Sequence, residues 1–337
     1  MADGGWNTTA DGTVVHEADA VFEGGGVKGV ALVGALEEFA AHGYTTWRNV
    51  AGTSAGAILA SYIACGHSAE EAMAVVAEAP YHDFEDWGRG GEILGGGLNL
   101  IREHGLCHGE AFRVWLDGML EGKTFADVRN EDGSTRLKMI ATDITRQKML
   151  VLPEDLVDYR DRATGRPIDA QTFKIADAVR MSMSIPYFFA PVHMISAEDG
   201  HDCQVVDGGV LSNFPVWLFD ASPDRSPTRP TFGFRITGGR GVGSGLDRVI
   251  NALGWPVQMG SAIFHTATGA WDTRFASHST VVRTCPVPAG HLGTTDFDRV
   301  NAVKDQVVKG ARAAAKTFVE QFKLADYRNT YAQKVQA

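Results

Sequence analysis

The sequence predicts an α/β domain, and three observations carry that expectation. Two short stretches that can form strands, residues 20–23 and 47–51, each end in a glycine-rich turn that opens onto helically spaced apolar residues. A strand, a tight glycine turn and a helix in succession are the repeating unit of α/β folds. Glycine is abundant, 39 of 337 residues, as many tight strand-to-helix turns require. The chain is 44% hydrophobic and 21% charged, enough to bury the core of one large α/β domain or two small ones.

Residues 1–18 read as a loose, polar tail. The first core strand is expected at 20–23, the turn at 24–29, and a helix over 30–42 with Ala31, Leu32, Ala35, Leu36 and Phe39 on one face. A strand at 47–51, a turn at 52–56 and a buried helix at 57–64 follow. Residues 68–79 read as a helix with Ser68 as N-cap and Glu71 in the capping-box position. The glycine-rich stretch 87–109 reads as a flap over a site or as a surface loop. Residues 109–120 form an amphipathic helix. The runs 137–142 and 148–152 are paired strands joined by 143–147. A helix over 175–182 must end before Ile185 and Pro186. Residues 204–206 and 231–236 are strands and 238–245 a glycine-rich loop. Residues 246–270 read as a core-facing helix pair interrupted at Pro256, with a lipid-facing lid as the alternative. A long amphipathic helix, 297–322, is expected on the outside of the sheet.

The formal net charge of −10 argues against nucleic acid as a partner, because phosphate binding needs a basic surface. Cys65, Cys107, Cys203 and Cys285 are scattered, as free thiols in a reducing compartment would be. The first residues lack a basic start and an apolar core, and no apolar run approaches the length of a membrane span. Together these predict a soluble, cytoplasmic protein without a structural metal.

Four segments carry chemistry. Gly52-Thr53-Ser54-Ala55-Gly56 is a G-x-S-x-G pentapeptide between a strand and a helix, the setting of a nucleophile elbow; a plain helix-capping turn is the alternative. Gly24-Gly25-Gly26-Val27-Lys28-Gly29 has the spacing of a dinucleotide loop. The next strand, however, runs into the Ser54 turn instead of an acidic ribose ligand. Consecutive glycines at a helix start fit amide groups aimed at an anion, an oxyanion loop. Lys28 either anchors that loop, attracts an anionic headgroup, or is a solvated surface lysine. Asp207-Gly208-Gly209 delivers a carboxylate into a turn, where it is either a base for a hydroxyl or an ordinary Asp-Gly turn. Residues 179–191, a helix end followed by a proline-punctuated aromatic stretch, read as packing that supports the site.

Together, in this order, these segments resemble the patatin-like phospholipase family. Gly24 to Gly29 resembles its oxyanion loop, Gly52 to Gly56 its elbow, Ser182 to Pro191 its S-x-x-x-P-x-F-x-P region, and Asp207-Gly208-Gly209 its D-G-G/A motif. The resemblance covers about 20–220 and weakens toward 322. Glu23 stands where many members have aspartate. The resemblance implies a three-layer α/β/α fold with a central, mostly parallel sheet and helices on both faces. It implies a catalytic domain over 19–325, with a flexible tail at 1–18 and another at 326–337.

It further implies a lipid acyl hydrolase working through a Ser54–Asp207 dyad. Gly24, Gly25, Gly26 and Ala55 would offer amides to the oxyanion. Gly29, Gly52, Gly56, Gly208 and Gly209 would support the motifs. No cofactor is implied. The partner would be a lipid ester, probed at a membrane surface by transient peripheral contact. Two other readings stand beside it. One is an α/β-hydrolase triad using His265, His278 or His291; the other is a non-catalytic lipid-binding module of the same fold.

Overall fold

The computed structural model describes residues 6–8, 14–78, 105–220, 227–238, 259, 278–294 and 296–334. The elements are β1 (Trp6–Thr8), β2 (Val14–Phe22), α1 (Val30–Ala41), β3 (Thr46–Thr53), α2 (Ala55–Ala64), α3 (Ala69–Glu78), β4 (Gly105–Cys107) and α4 (Glu110–Met119). They continue with β5 (Leu137–Asp143), β6 (Lys148–Leu152), β7 (Tyr159–Asp161), α5 (Ile175–Ser182), β8 (Tyr187–Phe189), β9 (Val192–Ser196) and β10 (Asp202–Asp207). The last are β11 (Thr231–Thr237), α6 (His278–Val282), β12 (Thr284–Pro288), α7 (Phe297–Gln321) and α8 (Leu324–Lys334).

The central sheet is mixed, in the order β12-β11-β2-β3-β5-β10-β9-β7, with β1 on β2 and β6 on β5. β12, β11, β2, β3 and β5 are mutually parallel, whereas β10, β9 and β7 continue antiparallel. The parallel part follows from the strand-turn-helix units. Each helix must return the chain to the same end of the sheet, which places every strand-to-helix turn on one rim.

Strand alternation divides the burial. Ala18, Ala20 and Phe22 of β2 face the main core with α1, α2, α5 and α7, while Val21 faces a smaller cluster with Ala51, Phe214 and Val216. Phe39 of α1 is the hub of the main core. Its ring lies 5.0 Å from Phe232 and 4.8 Å from Phe234, edge-on to both, and Phe318 of α7 stacks on it from outside at 6.0 Å. The capping box forms as expected: Glu71 accepts from Ser68 N at 2.7 Å and Ser68 Oγ from Glu71 N at 3.1 Å.

Three boundaries differ from the sequence expectation. Residues 14–18 are not a tail: β2 begins at Val14, and β1 pairs antiparallel with it from Trp6↔His16 to Thr8↔Val14. Residues 326–334 are helical, and Tyr327 is buried, its hydroxyl accepting from Thr231 N at 3.2 Å. The end of the 87–109 stretch is a buried strand, β4, parallel to β8; its residues 87–104 lie outside the described residues, as do 239–258 and 260–277. Among the described residues no helix is long and apolar enough to cross a membrane.

Truncating the hub, Phe39→Ala, removes five ring contacts from a site with no exposed face. Urea denaturation should show a loss of about 3–5 kcal/mol with an unchanged m-value.

Candidate active site

The site begins at a seam in the sheet. One edge of β5 is covered continuously by β6, from Met139↔Leu152 to Asp143↔Lys148. The other edge is shared. β3 covers it up to Thr53↔Ile140, and β10, running the opposite way, covers it from Asp207↔Ala141. The C-terminal ends of β3 and β10 therefore meet head to head at adjacent β5 residues. The residues that come next, Ser54 and the Asp207-Gly208-Gly209 turn, must leave the sheet together at that point.

Ser54 leaves it through a sharp turn. Its backbone is at φ 53°, ψ −124°, a conformation that costs a non-glycine residue about 1–3 kcal/mol and is held by its surroundings. The glycines on either side permit close approach. A Cβ on Gly56 would lie 2.1 Å from Phe22 O, and one on Gly52 would lie 2.3 Å from Gly56 C. Ser54 caps α2, whose first amides and dipole favour negative charge beside it.

The Ser54 hydroxyl faces the Asp207 carboxylate closely enough to draw its pKa down. Both side chains are buried, at 4% and 2% exposure. Asp207 Oδ1 accepts from Gly209 N at 2.7 Å. Burial pushes the Asp207 carboxyl up to about 6, against the opposing pull of the Ser54 hydroxyl and the Gly209 N–H. A hydroxyl beside a desolvated carboxylate that stays ionised at neutral pH is what general-base activation of a serine requires. No histidine hydrogen-bonds to Ser54 or Asp207 among the described residues. His291 is exposed, and His265 and the His278 side chain lie outside the described residues.

The glycine loop runs beside Ser54: a Cβ on Gly24 would lie 3.2 Å from Ser54 Cβ. Of the four expected oxyanion donors, Gly24 differs. Its N–H is already donated to Asn213 O at 3.0 Å, and its carbonyl accepts from Asn213 Nδ2 at 3.0 Å, so Gly24 fixes the loop rather than offering an amide. The N–H groups of Gly25, Gly26 and Ala55 have no acceptor among the described residues. Gly26 sits at φ 57°, and a Cβ there would lie 1.9 Å from Thr294 O, which accepts from Val27 N at 3.0 Å. Thr294 thus clamps the loop from the far side. Gly29 packs against the start of α2, where an added Cβ would lie 2.8 Å from Ala55 Cβ.

Lys28 is half-buried with its stem along Gly25. Burial lowers its pKa, the Glu23 charge opposes that, and its ammonium has no hydrogen-bond or ion-pair partner among the described residues. Glu23 itself accepts from Ile236 N and so ties the end of β2 to β11. Gly208 lies over the seam, where a Cβ would be 2.2 Å from Ile140 O; a Cβ on Gly209 would be 2.9 Å from Asn213 Oδ1.

Sequence reasoning treated residues 179–191 as supporting packing and missed what Ser182 does. Its buried hydroxyl donates to Ile140 O at 2.6 Å and accepts from Ser54 N at 3.0 Å. It closes the seam where one strand has stopped and the other has not begun. Two residues on, Ser184 O accepts from Asp207 N at 2.9 Å. One short segment therefore fixes the backbones of both Ser54 and Asp207. Arg180 anchors that segment: it is buried, donates to Ser184 Oγ and to Ala190 O at 2.8 Å, and lies 5.4 Å from the Phe189 ring centre. Asn213 and Thr294 carried no sequence signal. Among the described residues no group of three or more His, Cys, Asp or Glu side chains is placed to hold a metal ion.

A family profile described as patatin-like phospholipase matches residues 20–220, the span that contains the glycine loop, Ser54, Ser182 and Asp207. The uncharacterized protein YqhO of Bacillus subtilis (strain 168) is 34% identical over 319 residues, covering 90% of this chain and 98% of YqhO. The uncharacterized protein R571 of Acanthamoeba polyphaga mimivirus is 27% identical over 209 residues, 60% of this chain and 61% of R571. The crystal structure of VipD from Legionella pneumophila matches with a TM-score of 0.54 at 15% identity. That match covers 95% of this chain and 70% of VipD and shows a shared fold.

Ser182→Ala leaves Ser54 N and Ile140 O buried without partners. Denaturation should show a loss of about 1–3 kcal/mol. Ser182→Thr, which restores the hydroxyl, should recover part of that loss.

Proposed function

The chain belongs to the patatin-like phospholipase family, and from that premise we propose that it is a serine acyl hydrolase cleaving the acyl esters of glycerolipids through Ser54 and Asp207. The observation that carries this reading is the Ser54 hydroxyl beside a buried Asp207 carboxylate, with open amides next to it.

In the first half-reaction Asp207 takes the hydroxyl proton as Ser54 Oγ bonds to the ester carbonyl carbon. The amides of Gly25, Gly26 and Ala55 receive the oxyanion. Each such donor is worth about 2.7–4 kcal/mol in transition-state stabilisation. The intermediate collapses, the bond to the alcohol oxygen breaks, and Asp207 returns the proton to that oxygen. Ser54 is left as an acyl ester. In the second half Asp207 takes a proton from water, the hydroxide adds to the acyl carbon, and the fatty acid leaves as the proton returns to Ser54. One carboxylate serves as base and acid in both halves, and its raised pKa suits it to both. The ester reaches the site from a lipid surface, by transient contact. The four free thiols are those of a protein working in a reducing, cytoplasmic compartment.

A fluorophosphonate probe should label Ser54 in the wild type. Ser54→Ala and Asp207→Asn should each lower kcat on a phospholipid or p-nitrophenyl ester by on the order of 10⁴-fold. Wild-type-like turnover in either variant removes the dyad.

The pH profile follows from the direction of the Asp207 shift. The base must be ionised, so kcat/KM should fall about tenfold per pH unit below about 6 and level off above it. Activity held flat down to pH 5 would mean that an unperturbed carboxyl, near 3.9, is the base.

A further inference from the structure

The three open amides differ in what aims them. A peptide unit is planar and trans, so its C=O and N–H point in opposite directions. Each N–H is therefore aimed by whatever holds the carbonyl of the preceding residue. For Ala55 that carbonyl is Ser54 O, which accepts from Ala57 N at 2.9 Å and from Ile58 N at 3.3 Å inside α2. For Gly26 it is Gly25 O, which accepts from Lys28 N at 3.2 Å inside the loop. For Gly25 it is Gly24 O, which accepts from Asn213 Nδ2 at 3.0 Å. Two donors are thus held by nearby backbone, and the third by a side chain from a distant motif.

The surroundings of Asn213 fix how it does this. Its main-chain carbonyl accepts from Gly24 N at 3.0 Å while its side chain donates to Gly24 O, so both polar groups of one glycine close on one residue. Nδ2 also lies 3.5 Å from Glu23 Oε1. The NH2 end of the amide therefore faces two acceptors, and turning it round would set oxygen against oxygen. The Oδ1 end lies over two glycines. A Cβ on Gly24 would come within 2.3 Å of it, and one on Gly209 within 2.9 Å. The missing side chains in the glycine loop and in the Asp207 turn are what leave room for Asn213. Six residues after the base (213 minus 207), it ties the Asp207 turn to the glycine loop.

We infer that Asn213 is a positioning residue for the reaction: by holding the carbonyl of the Gly24–Gly25 peptide it aims the Gly25 N–H at the oxyanion. A hydrogen bond at the carbonyl also polarises the unit and strengthens its N–H as a donor. The effect is felt where negative charge develops, so it belongs to the transition state and not to substrate binding. This assignment rests on the acyl-hydrolase reading, and the test separates the two.

Asn213→Ala, and Asn213→Leu, which keeps the branched shape without a donor, should each lower kcat on a p-nitrophenyl ester about 100-fold with KM little changed. The acid limb of the pH profile should stay at about 6, because Asp207 keeps its burial and Gly209 N. A second arm needs no turnover. A fluorophosphonate carried to completion on Ser54 places a phosphoryl oxygen where the oxyanion forms. In 15N-labelled wild type the Gly25, Gly26 and Ala55 amide protons should all move downfield on labelling. In both Asn213 variants the Gly26 and Ala55 signals should still move, and the Gly25 signal should not. Wild-type kcat in either variant, or a Gly25 signal that moves as in the wild type, overturns the positioning role and leaves the hydrolase standing. Loss of all three shifts together overturns it as well, since Asn213 would then support the whole loop and not one amide. A wild type that is neither labelled nor hydrolyses any ester overturns the hydrolase reading, and the role of the amide falls with it.

Discussion

Two strands that end head to head on the same edge of a third are the constraint on which the rest of this structure depends. β3 stops at Ile140 of β5, and β10 arrives from the other direction and stops at Ala141. Neither can continue without colliding with the other, so both chains turn out of the sheet at one place. One turn carries Ser54 and the other Asp207. Residues 153 apart in sequence (207 minus 54) are thus brought side by side by strand register, which is far more rigid than a pair of loops. The strained backbone of Ser54 is affordable because Ser182 holds its amide and Gly56 lets α2 approach β2 closely.

The seam also explains the electrostatics. A carboxylate emerging between strand ends is walled by backbone, and burial is the largest influence on it. The groups that oppose burial are the Ser54 hydroxyl and Gly209 N, neither of which brings a full charge. A nearby lysine or arginine would have lowered the carboxyl and weakened it as a base. Arg180 is close in sequence to this region, but its guanidinium donates to Ser184, His108 and Ala190. Glu23 ties the end of β2 to β11 beside the glycine loop, and its charge partly offsets the effect of burial on Lys28.

The local parts of this architecture were legible in the sequence and the long-range parts were not. The switch from strand to helical spacing at 24–30 and 52–57 is written in adjacent residues, and so are the Ser68 capping box and the hairpin of β5 and β6. Asp207 was different. Asp-Gly is an ordinary turn signal, and only the order of the motifs, through family resemblance, separated it from one. That three consecutive glycines do not offer three equivalent amides was invisible, because the partner of Gly24 is Asn213, 189 residues away (213 minus 24). Ser182 escaped for the same reason: its value lies in a gap in the pairing of β5, which no local pattern records. Residues 14–18 looked like a tail because they directly follow the polar stretch 1–13, although Val14, Val15 and Ala18 are apolar. Pairing with β1 and β3 places them in the sheet, just as the burial of Tyr327 extends the fold to α8.

The central claim is that the ester's acyl group passes through a covalent bond to Ser54 with Asp207 as the only protein base. Rapid acid quenching during steady turnover of a phospholipid, followed by peptide mass spectrometry, tests it most directly. The account predicts a fraction of the protein carrying one acyl ester, located on Ser54 and absent from Asp207→Asn. Fatty acid accumulating with no acylated Ser54, or an acyl group found on another residue, would contradict it.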